Sequence, residues 1–284
     1  MIECARSCGI NLMVAENYRF LPALDKALDV MRTADENGIG QLRSIRIICE
    51  GYRAPSNWRR SLRRTGGGVF IDGGIHFVNL LVSLGGFPER ISATWLPKVF
   101  KSSEGEDGIN ILARLPNGAS GTVLFSRATN ISKTRQHVTV DGGRGRLTFI
   151  PYGSEVILEK GATKRKIRTS KSYRGTRKMV REFQESIIEN REPLMSGEKG
   201  LDDLSIVLAI YKSAESLTEV TPMNIPLRQR TGTLSKQTQK PVLIKLKHSP
   251  LVQFCFKHFG ASSHLYRLKH LFNLVNSGLR YAAC

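Results

Sequence analysis

The chain has 284 residues, with 43 Lys+Arg against 24 Asp+Glu and a net charge of +19. Its 40% hydrophobic content and 26 glycines are those of an ordinary globular protein, which excludes collagen-like, wholly disordered and disulfide-stapled classes. The basic excess is the one unusual quantity, and it points first to nucleic acid or an anionic membrane. That excess is concentrated. Residues 160–181 carry ten basic side chains and 222–284 another ten, neither stretch with an acid, and the rest of the chain is close to neutral.

The five cysteines (Cys4, Cys8, Cys49, Cys255, Cys284) are odd in number and form no CxxC pair, so they read as reduced thiols with no metal site. Glu3 and Arg6 interrupt any signal-peptide apolar core, and no run reaches the roughly 18 apolar residues of a membrane span. A reducing, cytoplasmic compartment is expected.

In chain order, residues 2–9 read as a helix closed by Gly9, and 10–15 (INLMVA) as a short apolar strand of the buried parallel kind. Residues 21–38 read as an amphipathic helix with Pro22 in its first turn, and 41–52 as a half-buried strand. A polar loop around Trp58 leads to Gly66-Gly67-Gly68 and an apolar helix stopping at Gly85-Gly86. From 90 to about 169 short alternating runs are separated by turn signals, among them Asn117-Gly118 and Asp141-Gly142-Gly143.

Two helices follow. One over 172–192 places Met179, Val180, Phe183, Ile187 and Ile188 on one side; the other, over 200–217, has Asp202 and Asp203 in its first turn. The fold class is therefore α+β, a large mostly antiparallel sheet with helices on one face. Residues 222–284 hold four of the six histidines and a basic amphipathic pattern over 262–282, and read as a partly ordered tail.

The densest chemical cluster is GGGVFIDGGIHFVN (66–79). On an α-helix Asp72 and His76 are i,i+4 and Asn79 is i+7, so all three share a face. A carboxylate accepting from one imidazole nitrogen orients the ring for general acid–base work. The plainer alternative is a locally capping Asp72 and a satisfied core His76.

The segments VAENYRFLP, NWR, GGGVFIDGGIHFVNLL and ENREPLMSGEKGLDDLSIVLAIYKSAES together resemble the glucose-fructose oxidoreductase / inositol dehydrogenase / rhizopine-catabolism (Gfo/Idh/MocA) family over residues 1–221. The resemblance implies a Rossmann domain followed by an α+β domain, and NAD- or NADP-dependent chemistry on a sugar, polyol or related small molecule. It implies that Asp72 and His76 are the proton-relay pair. It implies further that Glu16-Asn17-Tyr18-Arg19 forms the crossover into the second domain, with Asn17, Tyr18 and Arg19 near the nicotinamide, and that Trp58, Arg59 and Asn79 line the substrate.

The departures are as specific. No G-x-G-x-x-G occurs, and the family's Glu-Lys-Pro has no counterpart ahead of VAEN; Gln239-Lys240-Pro241 is a coincidence in the tail. The expected organisation is a remnant of the nucleotide-binding domain over 1–20, the family's C-terminal domain over 21–221, and the tail over 222–284. On this reading the chain is truncated and weak or inactive alone. Two further functions stay open: a non-catalytic module that forms a homo-oligomer through its sheet, and binding of nucleic acid or an anionic membrane through the basic segments, though 160–181 has a single aromatic, Tyr173, for base stacking.

Overall fold

A computed structural model describes residues 1–33, 37–170 and 174–222. The tail's amphipathic pattern, Cys255, Cys284 and Tyr173 lie outside the described residues. The chain divides into two compact units, the first made of Met1–Arg6 with Asn11–Leu227 and the second of Ser7–Ile10 with Arg228–Cys284. The first carries the architecture below.

Eight strands form one sheet in the order β2-β3-β4-β1-β5-β6-β7-β8. They are β1 (Leu42–Glu50), β2 (Arg90–Trp95), β3 (Gly108–Arg114), β4 (Ser120–Ser126), β5 (Arg135–Gly142), β6 (Arg146–Phe149), β7 (Glu155–Lys160) and β8 (Thr163–Arg168). Every neighbouring pair is antiparallel except β1 with β4, where Ile47 stands opposite Val123. The expected class and its hairpins hold. Asn117 and Gly118 both adopt positive φ (66° and 75°) between β3 and β4, the conformation such a tight turn demands.

Alternation sets the two faces of the sheet. Ile45, Ile47, Ile109, Ile111, Val123, Phe125, Val138 and Val140 are buried on one face, beneath helices α2 (Pro22–Arg32), α4 (Ile75–Gly85) and α6 (Gly197–Ser216). The opposite face carries Arg46, Ile48, Leu112, Thr122, Leu124 and Ile157, half-buried or exposed, with no helix of the described residues upon it. A smaller core of Phe20, Met179 and Met195, with Met13, lies under α5 (Thr176–Ile188).

Five local expectations change. The segment 10–15 is no strand: Met13 makes one antiparallel bridge to Ser196, and the Val14 N–H donates to the Met195 carbonyl at 2.8 Å. Its partner is a short connection, and Glu16 then turns the chain into a 3-10 turn over Asn17–Phe20 by accepting the Tyr18 N–H. The helix beginning at Pro22 ends at Arg32, well before Gly38. On α5, Met179 and Ser186 are buried while Val180 and Ile188 are 48% and 67% exposed, because this helix packs narrowly on the 3-10 turn. α6 starts at Gly197 behind its cap Ser196, whose hydroxyl accepts the Lys199 N–H, so Asp202 and Asp203 fall in the second turn, beyond the reach of the dipole. Finally, the helical pieces across Leu62–Gly85 are by length and composition apolar enough to cross a membrane; half of that stretch is buried in the core here.

The basic cluster also acquires a structural setting. β8 is the sheet's edge, with Lys164 bound to Glu159 at 2.8 Å and Lys166 to Glu155 at 3.4 Å across the β7 hairpin. Exposed cations on an edge strand discourage pairing with another chain.

Candidate active site

The site is built where the glycine run enters the apolar helix. Gly67 and Gly68 pack too tightly for side chains: a Cβ on Gly68 would stand 1.8 Å from Glu106 Oε2, and one on Gly67 2.4 Å from the Tyr211 ring. The Tyr211 hydroxyl accepts the N–H groups of Gly68 and Ile71 and donates to Glu106, which accepts the Phe70 N–H at 2.8 Å. Burial pushes the Glu106 carboxyl up, against these hydrogen bonds, and burial likewise raises Tyr211. The amides that a phosphate would seek are thus already occupied by a tyrosine and a carboxylate.

Next comes a π-helical turn, Phe70–Gly74, closed by the Ile75 N–H on the Phe70 carbonyl. A turn closed by i→i+5 bonds contains one residue more than an α-turn. Asp72 and His76 therefore do not stack as the α-helical spacing predicts, and each takes a different partner. Asp72 accepts from Arg59 Nε at 2.9 Å, and the Arg59 guanidinium lies 4.3 Å over the exposed Trp58 ring. His76 Nδ1 stands 2.7 and 2.8 Å from the two oxygens of Glu16, a carboxylate only 6% exposed.

A carboxylate accepts, so Nδ1 carries the proton and the lone pair of neutral His76 resides on Nε2. That nitrogen has no hydrogen-bond partner among the described residues, and the side chain is 31% exposed. The ring is held flat against Tyr18, with centroids 4.6 Å apart and planes within 6°. Tyr18 is buried, which raises its phenol, and its hydroxyl accepts from Gln136 Nε2 at 3.4 Å.

The remaining candidates occupy different ground. Asn17 donates to the Arg174 carbonyl at 2.6 Å. Arg19 is half-buried, and burial lowers its guanidinium. Asn79 lies beneath the site, 3% exposed, donating to Asp203 Oδ2 at 2.7 Å, while its own Oδ1 has no partner. Burial pushes the Asp203 carboxyl up to about 7, opposed by that bond and reinforced by the nearby charge of Glu16. A cavity of about 550 Å³, lined by residues including Lys133, His137, Ile150 and Tyr152, lies close by but not on His76; Tyr152 packs edge-on to Tyr18 and connects the two.

The resemblance places Glu16 in the crossover segment, but the sequence pattern did not pair it with His76, sixty positions away. Among the described residues no group of His, Cys, Asp and Glu could hold a metal ion. For a dinucleotide, the occupied amides of 66–71 and the carboxylate of Glu106 do not fit a pyrophosphate, whereas the open Nε2 of His76 fits the reacting end of a hydroxyl substrate.

Residues 28–148 match the model of the GFO/IDH/MocA C-terminal domain. No curated protein matches the chain by sequence. Among solved structures, aldose-aldose oxidoreductase from Caulobacter crescentus, complexed with glycerol, is 23% identical with a TM-score of 0.68, over 78% of this chain and 66% of that one. Levoglucosan dehydrogenase in complex with NADH is 20% identical, TM-score 0.70, over 79% and 69%. An NAD binding oxidoreductase from Klebsiella pneumoniae is 19% identical, TM-score 0.70, over 78% and 69%. The chain thus spans about two thirds of the length of these structures. Residues 28–148 are thus similar to the GFO/IDH/MocA C-terminal domain, and the fold built around them is the one these solved oxidoreductase structures share.

Proposed function

We propose that this domain supplies the substrate-side and proton-handling half of an oxidoreductase acting on the CH–OH group of a sugar, polyol or related compound. The observation that carries the reading is the Glu16–His76 pair, with Nδ1 fixed as donor and Nε2 open. His76 Nε2 accepts the substrate hydroxyl proton as the carbonyl forms, and Glu16 stabilises the resulting imidazolium. Tyr18 holds the ring plane, while Asp72, Arg59 and Trp58 form the adjoining wall. Carbonyl formation also requires a hydride acceptor, the chemistry that a nicotinamide would supply; NAD is favoured because levoglucosan dehydrogenase is described with NADH. Asn17, Tyr18 and Arg19 stand on the segment leading to that side of the site.

Because no pyrophosphate cradle is built from 66–71, the chain by itself is expected to bind NADH weakly and to turn over slowly. Calorimetry with NADH and NADPH, beside NMR titration of the His76 ring with glycerol, glucose and levoglucosan, tests both halves. The expected result is a sugar- or polyol-dependent shift of His76 without micromolar dinucleotide binding. A His76 ring indifferent to every such compound overturns the reading.

A second reading concerns assembly. The uncovered sheet face carries Leu112 at 52% exposure among Ile48, Leu124 and Ile157, which favours a second copy of the chain as its cover. Thiols rather than disulfides at Cys8 and Cys49 agree with the reducing, cytoplasmic setting proposed for it.

A further inference from the structure

The arginines of the site differ in how their charge is met. Arg59 is matched by Asp72, and Arg135, at the rim of the neighbouring cavity, by Glu50. Arg127 is different. It leaves the end of β4 half-buried, and among the described residues it has no carboxylate partner. Its guanidinium lies 5.1 Å over the Phe125 ring, which supports a cation from one side only. Its main chain is fixed on both sides: the N–H donates to the Asp107 carbonyl at 2.8 Å, and its carbonyl accepts the Arg53 N–H at 2.8 Å.

The position of this cation is defined by a glycine. A Cβ on Gly73 would stand 3.0 Å from Arg127 Nη2 and 4.0 Å from its Cζ. The missing side chain therefore lets the guanidinium rest against the helical turn that carries the site. Gly73 precedes His76 by three residues, where the π-turn over Phe70–Gly74 passes into α4. On its other flank the charge of Arg127 acts on Cys49, whose thiol is linked through Gln136 to Tyr18.

We infer that Arg127 is a subsite for an anionic group of the substrate, a carboxylate or a phosphate ester, held against the turn that leads into His76. A half-removed cation without a counter-charge is costly, and an anionic ligand supplies both the missing charge and acceptors matched to the planar fork. The substrate class is thereby narrowed from neutral sugars and polyols to sugar acids or sugar phosphates. This rests on the reading of His76 as facing substrate.

The test is NMR titration of the full chain, following the Arg127 Nε–H and the His76 ring, with gluconate, glucose 6-phosphate, glucose and sodium sulfate. Gluconate or glucose 6-phosphate is expected to shift both signals and to bind at least 10-fold more tightly than glucose; whichever binds more tightly identifies the anion as carboxylate or phosphate. Arg127→Gln is expected to bring the anionic sugar down to the affinity of glucose. If that variant fails to fold, Gly73→Ala reads the same contact, since the added methyl displaces the guanidinium and is expected to weaken the anionic ligand several-fold while sparing glucose.

Equal affinity for glucose and gluconate, or unchanged gluconate binding in whichever variant folds, overturns the subsite. Sulfate as tight as either anionic sugar also overturns it, as a nonspecific cation. Anionic sugars that bind at Arg127 but never shift His76, and are never oxidised, overturn instead the proton-relay reading.

Discussion

His76 Nδ1 lies 2.7 Å from Glu16 Oε2, and this contact joins the end of the N-terminal segment to the first α-turn of the site helix. It makes one tautomer of the imidazole much the more stable, because the alternative would set a lone pair against a nearly buried carboxylate. The basic nitrogen is then the one that faces outward.

Glu16→Ala is expected to release that tautomer while Tyr18 still stacks on the ring. Nitrogen-15 spectra of His76 should move from a single Nδ1–H form to a mixture. Any oxidoreductase activity should fall, with about 10²–10⁴-fold as the ceiling set by loss of general acid–base catalysis. An unchanged tautomer in Glu16→Ala would remove Glu16 from its positioning role.

Asp203 gives a pH signature in stability. Its ordinary carboxyl value of 3.8 is pushed up to about 7 by burial between α4 and α6. Between these values the folded state keeps a proton that the unfolded chain has lost. The carboxyl's contribution is therefore fully present below about 4 and is lost as pH rises through about 7. Asp203→Asn abolishes the titration, so urea midpoints of the variant relative to the parent should improve from pH 4.5 to about pH 7 and then level off. A difference independent of pH counts against this account.

Gly68→Ala should destabilise the domain by about 1–3 kcal/mol, the range for forcing extra volume into a packed site. The added Cβ would meet both the carboxylate and the main chain of Glu106. Chemical denaturation reads the loss directly; a variant as stable as the parent means the loop has room to spare.

The uncovered sheet face predicts self-association. Multi-angle light scattering of the full chain should show a dimer or larger species. Leu112→Glu, at a position 52% exposed in the single chain, should shift it toward monomer with little change in the chain's own stability. A parent that is monomeric at every concentration defeats this reading.

Much of the fold was legible in the residues because its signals are local. Alternation over 90–169, the Asn117-Gly118 turn, Pro22 at a helix start and Gly85-Gly86 at a helix end each rest on a few neighbouring side chains. The segment 10–15 misled for the same reason: its apolar run describes a strand, yet its pairing depends on what lies beside it, and its backbone meets the short connection at Met195 and Ser196. The register of α6 depended on recognising Ser196 as the cap four residues ahead of the apparent start.

By itself, the sequence determined the class of the fold, the placing of the basic excess, and Asp72 and His76 as residues worth watching. It could not decide which carboxylate serves His76. The α-helical spacing chose Asp72, four residues away; the structure chose Glu16, sixty away, because a π-turn over Phe70–Gly74 takes Asp72 off that face and hands it to Arg59. Nor could it show that Arg127, half-buried at the end of β4, meets no acid among the described residues, since only tertiary packing shows which cations are paired. Periodicity reports which way a side chain points within its own element; the partner it meets is set by contacts that the folded chain alone brings together.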